Sequence, residues 1–300
     1  MTNLYRMTPK YQLGFTLIEL LVAIALGIVV ITVVVISFLS TNLASNTAQA
    51  QGRMNEDAQM ALEILSQEIR KAGYNPLRSA GLVNDLGQNG WNLFACDTGF
   101  KDSTTPLISG LQCNNAGTNM EIAIAYEADS YAGKMTNAAP AKLMDCIGNG
   151  ITSSGTYFIV QARLASNGKG LTCRGSGDLT QNQTLVDNIE SINMSFAVSD
   201  PSKAISSTPM GYLTATQLNA PVADLAGYTG VQRWNKVLAA RICVVVRSEE
   251  KILNGLLSSN AKPNYINCAG DSVDINDGVL RRAYRTTVLL RNHGVGYVDK

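Results

Sequence analysis

The chain has 300 residues, with 24 basic and 23 acidic side chains and a formal net charge of +1. This near balance, without any basic tract, gives no indication of direct nucleic-acid binding. The single histidine, His293, and the absence of a Gly-x-Ser-x-Gly pattern argue against catalysis. We therefore expect a protein that is not an enzyme and that needs no cofactor.

The first element in chain order is an apolar run at residues 15–39, and Glu19 is its only charge. About 20 apolar residues suffice for a helix to cross a bilayer, so the run predicts a transmembrane helix. A carboxylate inside such a helix costs about 2.5–3.5 kcal/mol on insertion scales and normally has a functional partner. Because the run contains no basic residue, Glu19 needs a cation from elsewhere.

The segment before the run, residues 1–14, ends in Gly14 and carries Arg6 and Lys10 but no acid. Positive residues stay on the cytoplasmic side, so we expect the chain beyond residue 39 to lie across the membrane. Cleavage after Gly14 would give Phe15 a new α-amino group one helical turn from Glu19. An amine on a neighbouring helix could serve Glu19 equally well.

The motif Gly14-Phe15-Thr16-Leu17-Ile18-Glu19 resembles the processing signature of type IV prepilins and type II secretion pseudopilins. The resemblance implies that a prepilin peptidase removes the leader, residues 1–14, by cutting after Gly14. It also implies that the same enzyme methylates the new N-terminus at Phe15. By the same resemblance, Glu19 pairs with the N-terminus of an adjacent subunit during filament assembly.

Three other interpretations of the apolar run compete with this one. In the first, the run is a secretory signal peptide cut after Ala48-Gln49-Ala50, but a signal hydrophobic region is only about 7–15 residues long. In the second, it is an uncleaved anchor, which leaves the cost of burying Glu19 unexplained. In the third, it is a buried core helix, which fits neither the length nor the charge pattern.

Past residue 39 the pattern becomes amphipathic, and no proline occurs before Pro76. We expect residues 40–73 to continue the helix and Gly73 to end it. One face of this predicted helix carries apolar residues at spacings of three and four, which predicts packing against a partner surface. This apolar stripe consists of Met54, Ala58, Ala61, Leu65, Ile69 and Ala72.

Residues 75–300 form the predicted head, which is large enough for one domain and β-rich in pattern. Apolar residues at every second position of residues 120–126 predict a strand with one buried face. We expect further strands at residues 156–164, 191–198, 237–247 and 284–291, and long loops at 82–118 and 199–233. The predicted fold class is α+β, with a long N-terminal hydrophobic helix packed on an antiparallel sheet, as expected of pilins.

All six cysteines follow the apolar run, and an even number suits an oxidising compartment. The chain has no Cys-x-x-Cys pair, so disulfides are favoured over zinc ligation. Six cysteines allow about 15 connectivities, and the sequence does not choose among them. Our working prediction pairs sequence neighbours, because each pair then brackets an irregular segment whose closure lowers the entropy of the unfolded chain. The expected pairs are Cys96 with Cys113, Cys146 with Cys173, and Cys243 with Cys268.

An acidic segment near the C-terminus is a weak calcium candidate, with Asp271, Asp274, Asn276 and Asp277 near two glycines. It does not meet the EF-hand spacing, because Arg285 occupies the twelfth position counted from Asp274. A solvated acidic turn is the favoured interpretation, and we predict no metal site.

Two further segments, residues 65–74 and residues 286–292, resemble the PilW family of minor pilins. The resemblance implies a subunit that primes type IV pilus assembly together with other minor pilins, the major pilin and a large tip adhesin. It further implies an inner-membrane protein of a Gram-negative bacterium, with its head in the periplasm and then in the pilus. The bulk of the head favours a place at the filament tip. The alternative is a minor pseudopilin that caps a type II secretion filament.

Overall fold

The computed structural model describes residues 14–74, 90–127, 144–151, 159–200, 208–220, 222–253 and 263–292. The chain divides into two compact units, Met1–Gln49 and Ala50–Lys300. Helix α1, Leu17–Lys71, contributes residues to both units. In the first unit, the large apolar side chains of residues 17–39 are exposed, so nothing in the described chain buries them.

The second unit is built around the last turns of α1. All six residues of the apolar stripe are buried there, which confirms the prediction that this face packs on a partner surface. Gly73 ends the helix with a positive φ of 71°, a conformation that favours glycine, as predicted. Its N–H donates to the carbonyl of Ala125 at 2.9 Å, which ties the end of the helix to the sheet.

The second unit also contains two antiparallel sheets and a small hairpin. The five-stranded sheet has the order β1 (Leu93–Cys96), β2 (Glu121–Glu127), β3 (Ile159–Ser166), β4 (Gly170–Gly175), β5 (Gln183–Asp187). The four-stranded sheet has the order β11 (Arg281–Leu289), β8 (Val237–Arg247), β6 (Ile189–Ser199), β7 (Pro209–Leu213). Strands β9 (Asn264–Ile266) and β10 (Ser272–Asp274) form the hairpin.

The four-stranded sheet packs one face on α1. Ile192, Met194 and Phe196 of β6 point to this face and belong to the same buried core as the apolar stripe. At the border of this contact, the hydroxyl of Tyr284 on β11 donates to the side-chain oxygen of Asn55 on α1. The structure therefore has the predicted α+β architecture, with the helix supplying the surface that covers the sheet.

The predicted strand positions agree with the structure to different extents. The strand expected at residues 237–247 coincides with β8, and those expected at 191–198 and 284–291 overlap β6 and β11. The strand expected at 156–164 overlaps β3, although residues 156–158 lie outside the described residues.

The predictions of loops at residues 82–118 and 199–233 were partly wrong. The first of these ranges contains β1 and a 3-10 turn at Ile108–Gly110. The second contains β7, a 3-10 turn at Ala223–Leu225, and two short helices, α2 (Ala215–Asn219) and α3 (Gly230–Asn235). Both short helices begin with a capping box, in which a threonine and a glutamine three residues later satisfy each other's backbone N–H groups. This pattern is a sequence signal that the loop prediction overlooked.

The expectation of one buried face on β2 was also wrong, because Ala123 and Ala125 on the other face are buried as well. The segment that follows β1 covers this face. Phe100 donates its backbone N–H and Ser103 its hydroxyl to the Glu121 carboxylate, at 3.1 and 2.8 Å. A strand covered on both sides can carry small apolar residues at alternate positions, and such residues do not reveal burial in the sequence.

Three disulfides join the six cysteines, as Cys96–Cys113, Cys146–Cys173 and Cys243–Cys268. These are the pairs of sequence neighbours expected above. The first closes the segment after β1, the second ties residue 146 to β4, and the third fixes the turn after β9 to β8. Each bond therefore fastens an irregular segment to a strand.

Arg163 on β3 fastens the segment after β1 to the five-stranded sheet by hydrogen bonds. Its side chain is buried, and its guanidinium donates to the carbonyls of Ser103 and Thr105. Burial lowers the pKa of Arg163 and raises the pKa of the neighbouring Glu121 carboxyl. The attraction between the two opposite charges offsets part of the cost of burying each of them.

Replacing Arg163 with methionine should therefore lower the free energy of unfolding by about 3 kcal/mol, since it leaves two carbonyls without their donor and removes the positive charge near the Glu121 carboxylate. The measurement is urea unfolding of the detergent-solubilised, oxidised protein, followed by the fluorescence of the buried Trp234. Lys169→Met, on the exposed turn between β3 and β4, is the control and should unfold like the wild type. Equal stability of the two variants would show that Arg163 does not hold this segment.

Candidate functional site

The candidate site lies at the start of α1, where residues 14–16 precede the first helical residue. Thr16 caps this end, because its hydroxyl oxygen accepts the backbone N–H of Glu19 at 3.3 Å. The Thr16 carbonyl accepts the N–H groups of Glu19 and Leu20 at 3.1 and 3.2 Å. The helix therefore begins at Leu17, with Thr16 as its capping residue.

Thr16 had no predicted role. Its signal was the pattern Thr16-x-x-Glu19 before an apolar run, which is typical of a helix N-terminus. The cap places Glu19 at the third helical position, in the first turn. There the free N–H groups and the dipole of the helix favour a negative charge.

Glu19 is exposed and is surrounded by exposed apolar side chains, with Ile18 71% and Leu20 58% accessible. The next basic residue after it in the sequence is Arg53. Among the residues that the structure describes, none forms an ion pair with Glu19. A cation for this carboxylate must come from outside the described residues or from another molecule.

The bond between Gly14 and Phe15 is accessible in the structure. The Phe15 side chain is 85% exposed, and no atom lies within 4 Å of the place that a Cβ on Gly14 would occupy. The structure thus brings Gly14, Phe15 and Glu19 together at one exposed helix end. Arg6 and Lys10 lie outside the described residues.

The helix behind this site is long and apolar enough to cross a membrane, by length and composition. Within the described ranges it is the one helix that meets this criterion. Residues 48–50, the cleavage site of the signal-peptide alternative, lie inside α1. Cleavage at that point would cut the helix on the N-terminal side of the apolar stripe that packs in the core.

The other candidates from the sequence lie away from this end, in the second unit. All six cysteines are engaged in disulfides and have no free thiol. His293 lies outside the described residues.

The four acidic-segment residues do not converge on one point. Asp277 accepts two hydrogen bonds from the Arg281 guanidinium, both at 2.7 Å, and these bonds hold the pKa of its carboxyl far below the usual range. Asp274 lies on β10, and Asp271 is within 3.4 Å of the Asn267 amide. Asn276 also has a partner. No group of three or more His, Cys, Asp or Glu residues suited to a metal ion occurs in the described part of the chain.

Comparisons with known proteins bear on both ends of the chain. A family model described as Type IV Pilus-assembly protein W matches residues 156–292, and one described as Prokaryotic N-terminal methylation motif matches residues 9–38. The second match contains the candidate site, and the first contains β3 to β11.

Two relatives come from Thermus thermophilus. The pilin-like protein PilA3 is 26% identical over 133 residues, which make up 44% of this chain and 57% of that protein. A solved structure, described as type IV-like pilin TTHA1219, aligns with 81% of this chain and 99% of its own at 10% identity and a TM-score of 0.38. With the methylation motif at the site and the assembly-protein model over the sheets, the chain is similar to type IV pilin-like proteins and, over residues 156–292, to the PilW family.

Proposed function

We propose that this chain is a minor type IV pilin that helps to prime pilus assembly and sits at or near the filament tip. In this proposal a prepilin peptidase cuts after Gly14 and methylates Phe15. The observation that carries it is the exposed Glu19 carboxylate in the first turn of an exposed apolar helix, in a chain that matches pilin family models at both ends.

The cut would supply the missing cation. It would leave an α-amine on Phe15, next to the capped end of the helix and close to Glu19 along the chain. Each processed subunit would then hold one amine and one carboxylate at a similar depth in the membrane. Bringing together the amine of one subunit and the Glu19 of the next would remove two unpaired charges from an apolar environment at once.

Pairing between subunits, instead of within one, would link this electrostatic gain to assembly. A pair formed inside one chain would be satisfied before assembly and would give no preference for a neighbour. The carboxylate would also fix the axial position of an incoming helix, because the pair forms only when both helix ends lie at the same level. The exposed apolar residues beyond Leu20 suit both lipid and helix neighbours, so they fix no such level.

The second unit supports a minor rather than a major role. It combines two sheets, a hairpin, two short helices and three disulfides, which makes a bulky head. Such a head would crowd a repeated shaft but fits a terminal position. We propose that the chain is anchored in the inner membrane with this head in the periplasm, and that its partners are other minor pilins, the major pilin and a tip adhesin. The matched family model concerns pilus assembly, so we propose a pilus and not a secretion filament.

Replacing Glu19 with alanine should preserve membrane insertion and leader cleavage but lower the recovery of partner pilins about tenfold, because the buried amine loses its counter-charge. The measurement is affinity purification of the full-length chain from crosslinked membranes, with partner pilins quantified by mass spectrometry. Glu56→Ala, which removes an exposed carboxylate from the same helix within the second unit, is the matched control and should recover partners normally. Normal recovery of partner pilins with Glu19→Ala would contradict the pairing mechanism.

Gold-labelled antibodies against the head should bind a single filament end, with few or no particles along the shaft. Antibodies against the major pilin on the same grids give the pattern expected of a shaft subunit. Labelling of this chain at regular intervals along the filament would contradict both the minor role and the tip position.

A further inference from the structure

Strand β11 forms an edge of the four-stranded sheet. It pairs along its whole length with β8, from Arg281 opposite Arg247 to Leu289 opposite Ala239, without a bulge. Among the described residues, no strand pairs with the other side of β11. An uninterrupted edge of nine residues without proline or bulge lacks two of the devices by which proteins protect such edges.

The hydrogen bonds show which backbone groups face outwards. Leu290 donates its N–H to Leu238, and Ser248 donates to Leu280, so the even-numbered residues form the hydrogen-bonded pairs with β8. The N–H and C=O groups of the odd-numbered residues therefore point away from the sheet. Those of Ala283, Arg285, Thr287 and Leu289 have no hydrogen-bond partner among the described residues.

The side chains along this edge are basic. Arg282 and Arg285 are exposed, and the strand contains no acidic residue. Arg281 is already engaged by Glu190 and Asp277. Neither Arg282 nor Arg285 forms an ion pair with another described residue.

The edge is also held rigidly on both faces. Arg285 donates to the carbonyl of Asn267 at 2.7 Å, in the turn that Cys268 fastens to Cys243 of β8. On the opposite face Tyr284 bonds to Asn55 of α1. A preorganised strand loses little conformational freedom when another strand is added to it.

We propose that β11 accepts a strand from another filament subunit, and that this strand carries two carboxylates three residues apart. In an antiparallel addition, the residue opposite Arg285 and the one opposite Arg282 are separated by three positions and lie on opposite faces of the sheet. Main-chain hydrogen bonds would supply the contact, and the two charge pairs would select the partner. This inference rests on the proposed function, because it takes the partner from the same filament.

A second copy of this chain fits the edge poorly. When two β11 strands overlap fully in antiparallel register, Arg285 lies directly opposite Arg285 of the second copy. Like charges at directly opposite positions destabilise a strand pair. Full antiparallel overlap of two copies is therefore disfavoured, and a different, acidic subunit suits the edge better.

The test uses the full-length chain in the bacterium that makes it, with the photoreactive residue benzoylphenylalanine in place of Leu289, which is 65% exposed on this strand. We expect one main crosslinked product, joined to an acidic extended segment of another pilin-type subunit. The same photoreactive residue at Lys169, on the exposed turn between β3 and β4, is the control position and should not give this product.

Two variants then probe the edge. Thr287→Pro removes one outward N–H and leaves the pairing with β8 intact, since proline is tolerated on an edge strand where the N–H faces away from the sheet. It should lower the yield of the product at least about fivefold, whereas Thr287→Ala, which keeps the N–H, should not. Arg282→Glu should lower it similarly, while the exposed Lys251→Glu, with the same change in net charge, should have no effect.

Four results would overturn the proposal: no product, a product insensitive to both Thr287→Pro and Arg282→Glu, a product joining two copies of this chain, and a product with a protein outside the filament. The result is separable from that of the Glu19 experiment. Failure at β11 with normal Glu19-dependent recovery of partners would leave the proposed function standing. Failure of the Glu19 experiment concerns the membrane helix and not the head.

Discussion

The main physical constraint in this protein is a single charged carboxylate on an exposed apolar helix. Glu19 lies in the first helical turn, capped by Thr16, and no described residue offers it a cation. In an apolar environment such a charge is costly unless it is paired. An amine freed at Phe15 would provide the counter-charge, and its supply by a neighbouring subunit would turn an unfavourable burial into a preference for assembly.

The last part of α1 differs from its exposed beginning, because its apolar stripe is buried within the second unit. The hydrophobic effect anchors this part of the helix to the sheets, and Gly73 lets the chain turn directly into contact with β2. Disulfides and Arg163 then fasten the irregular segments. A rigid head of this kind can present the β11 edge in a fixed geometry.

Strong periodic patterns made parts of this structure predictable. The spacing of Met54 to Ala72 predicted a packed helix face, and the apolar strand at residues 237–247 was located correctly, because a long buried strand carries a long apolar signal. Strand β1 and the short helices α2 and α3 were missed, since their stability comes from packing and capping boxes and not from periodicity. The Arg163 contacts join positions about 60 residues apart in sequence, which no local pattern reveals. At the site itself, the roles of Gly14, Phe15 and Glu19 stay predictions from the motif, while the cap at Thr16, which the pattern Thr16-x-x-Glu19 signals, is seen in the structure.

The decisive measurement is the intact mass of the membrane-extracted protein, made with and without prepilin peptidase. If Phe15 gains a free amine by processing, the protein should lose residues 1–14 and gain one methyl group, and both changes should occur only when the peptidase is present. An unchanged mass with and without the peptidase would contradict the proposed pairing of Glu19, because no amine would then arise at Phe15. A cut after Ala50 would contradict it as well, because Glu19 would be removed together with the apolar helix.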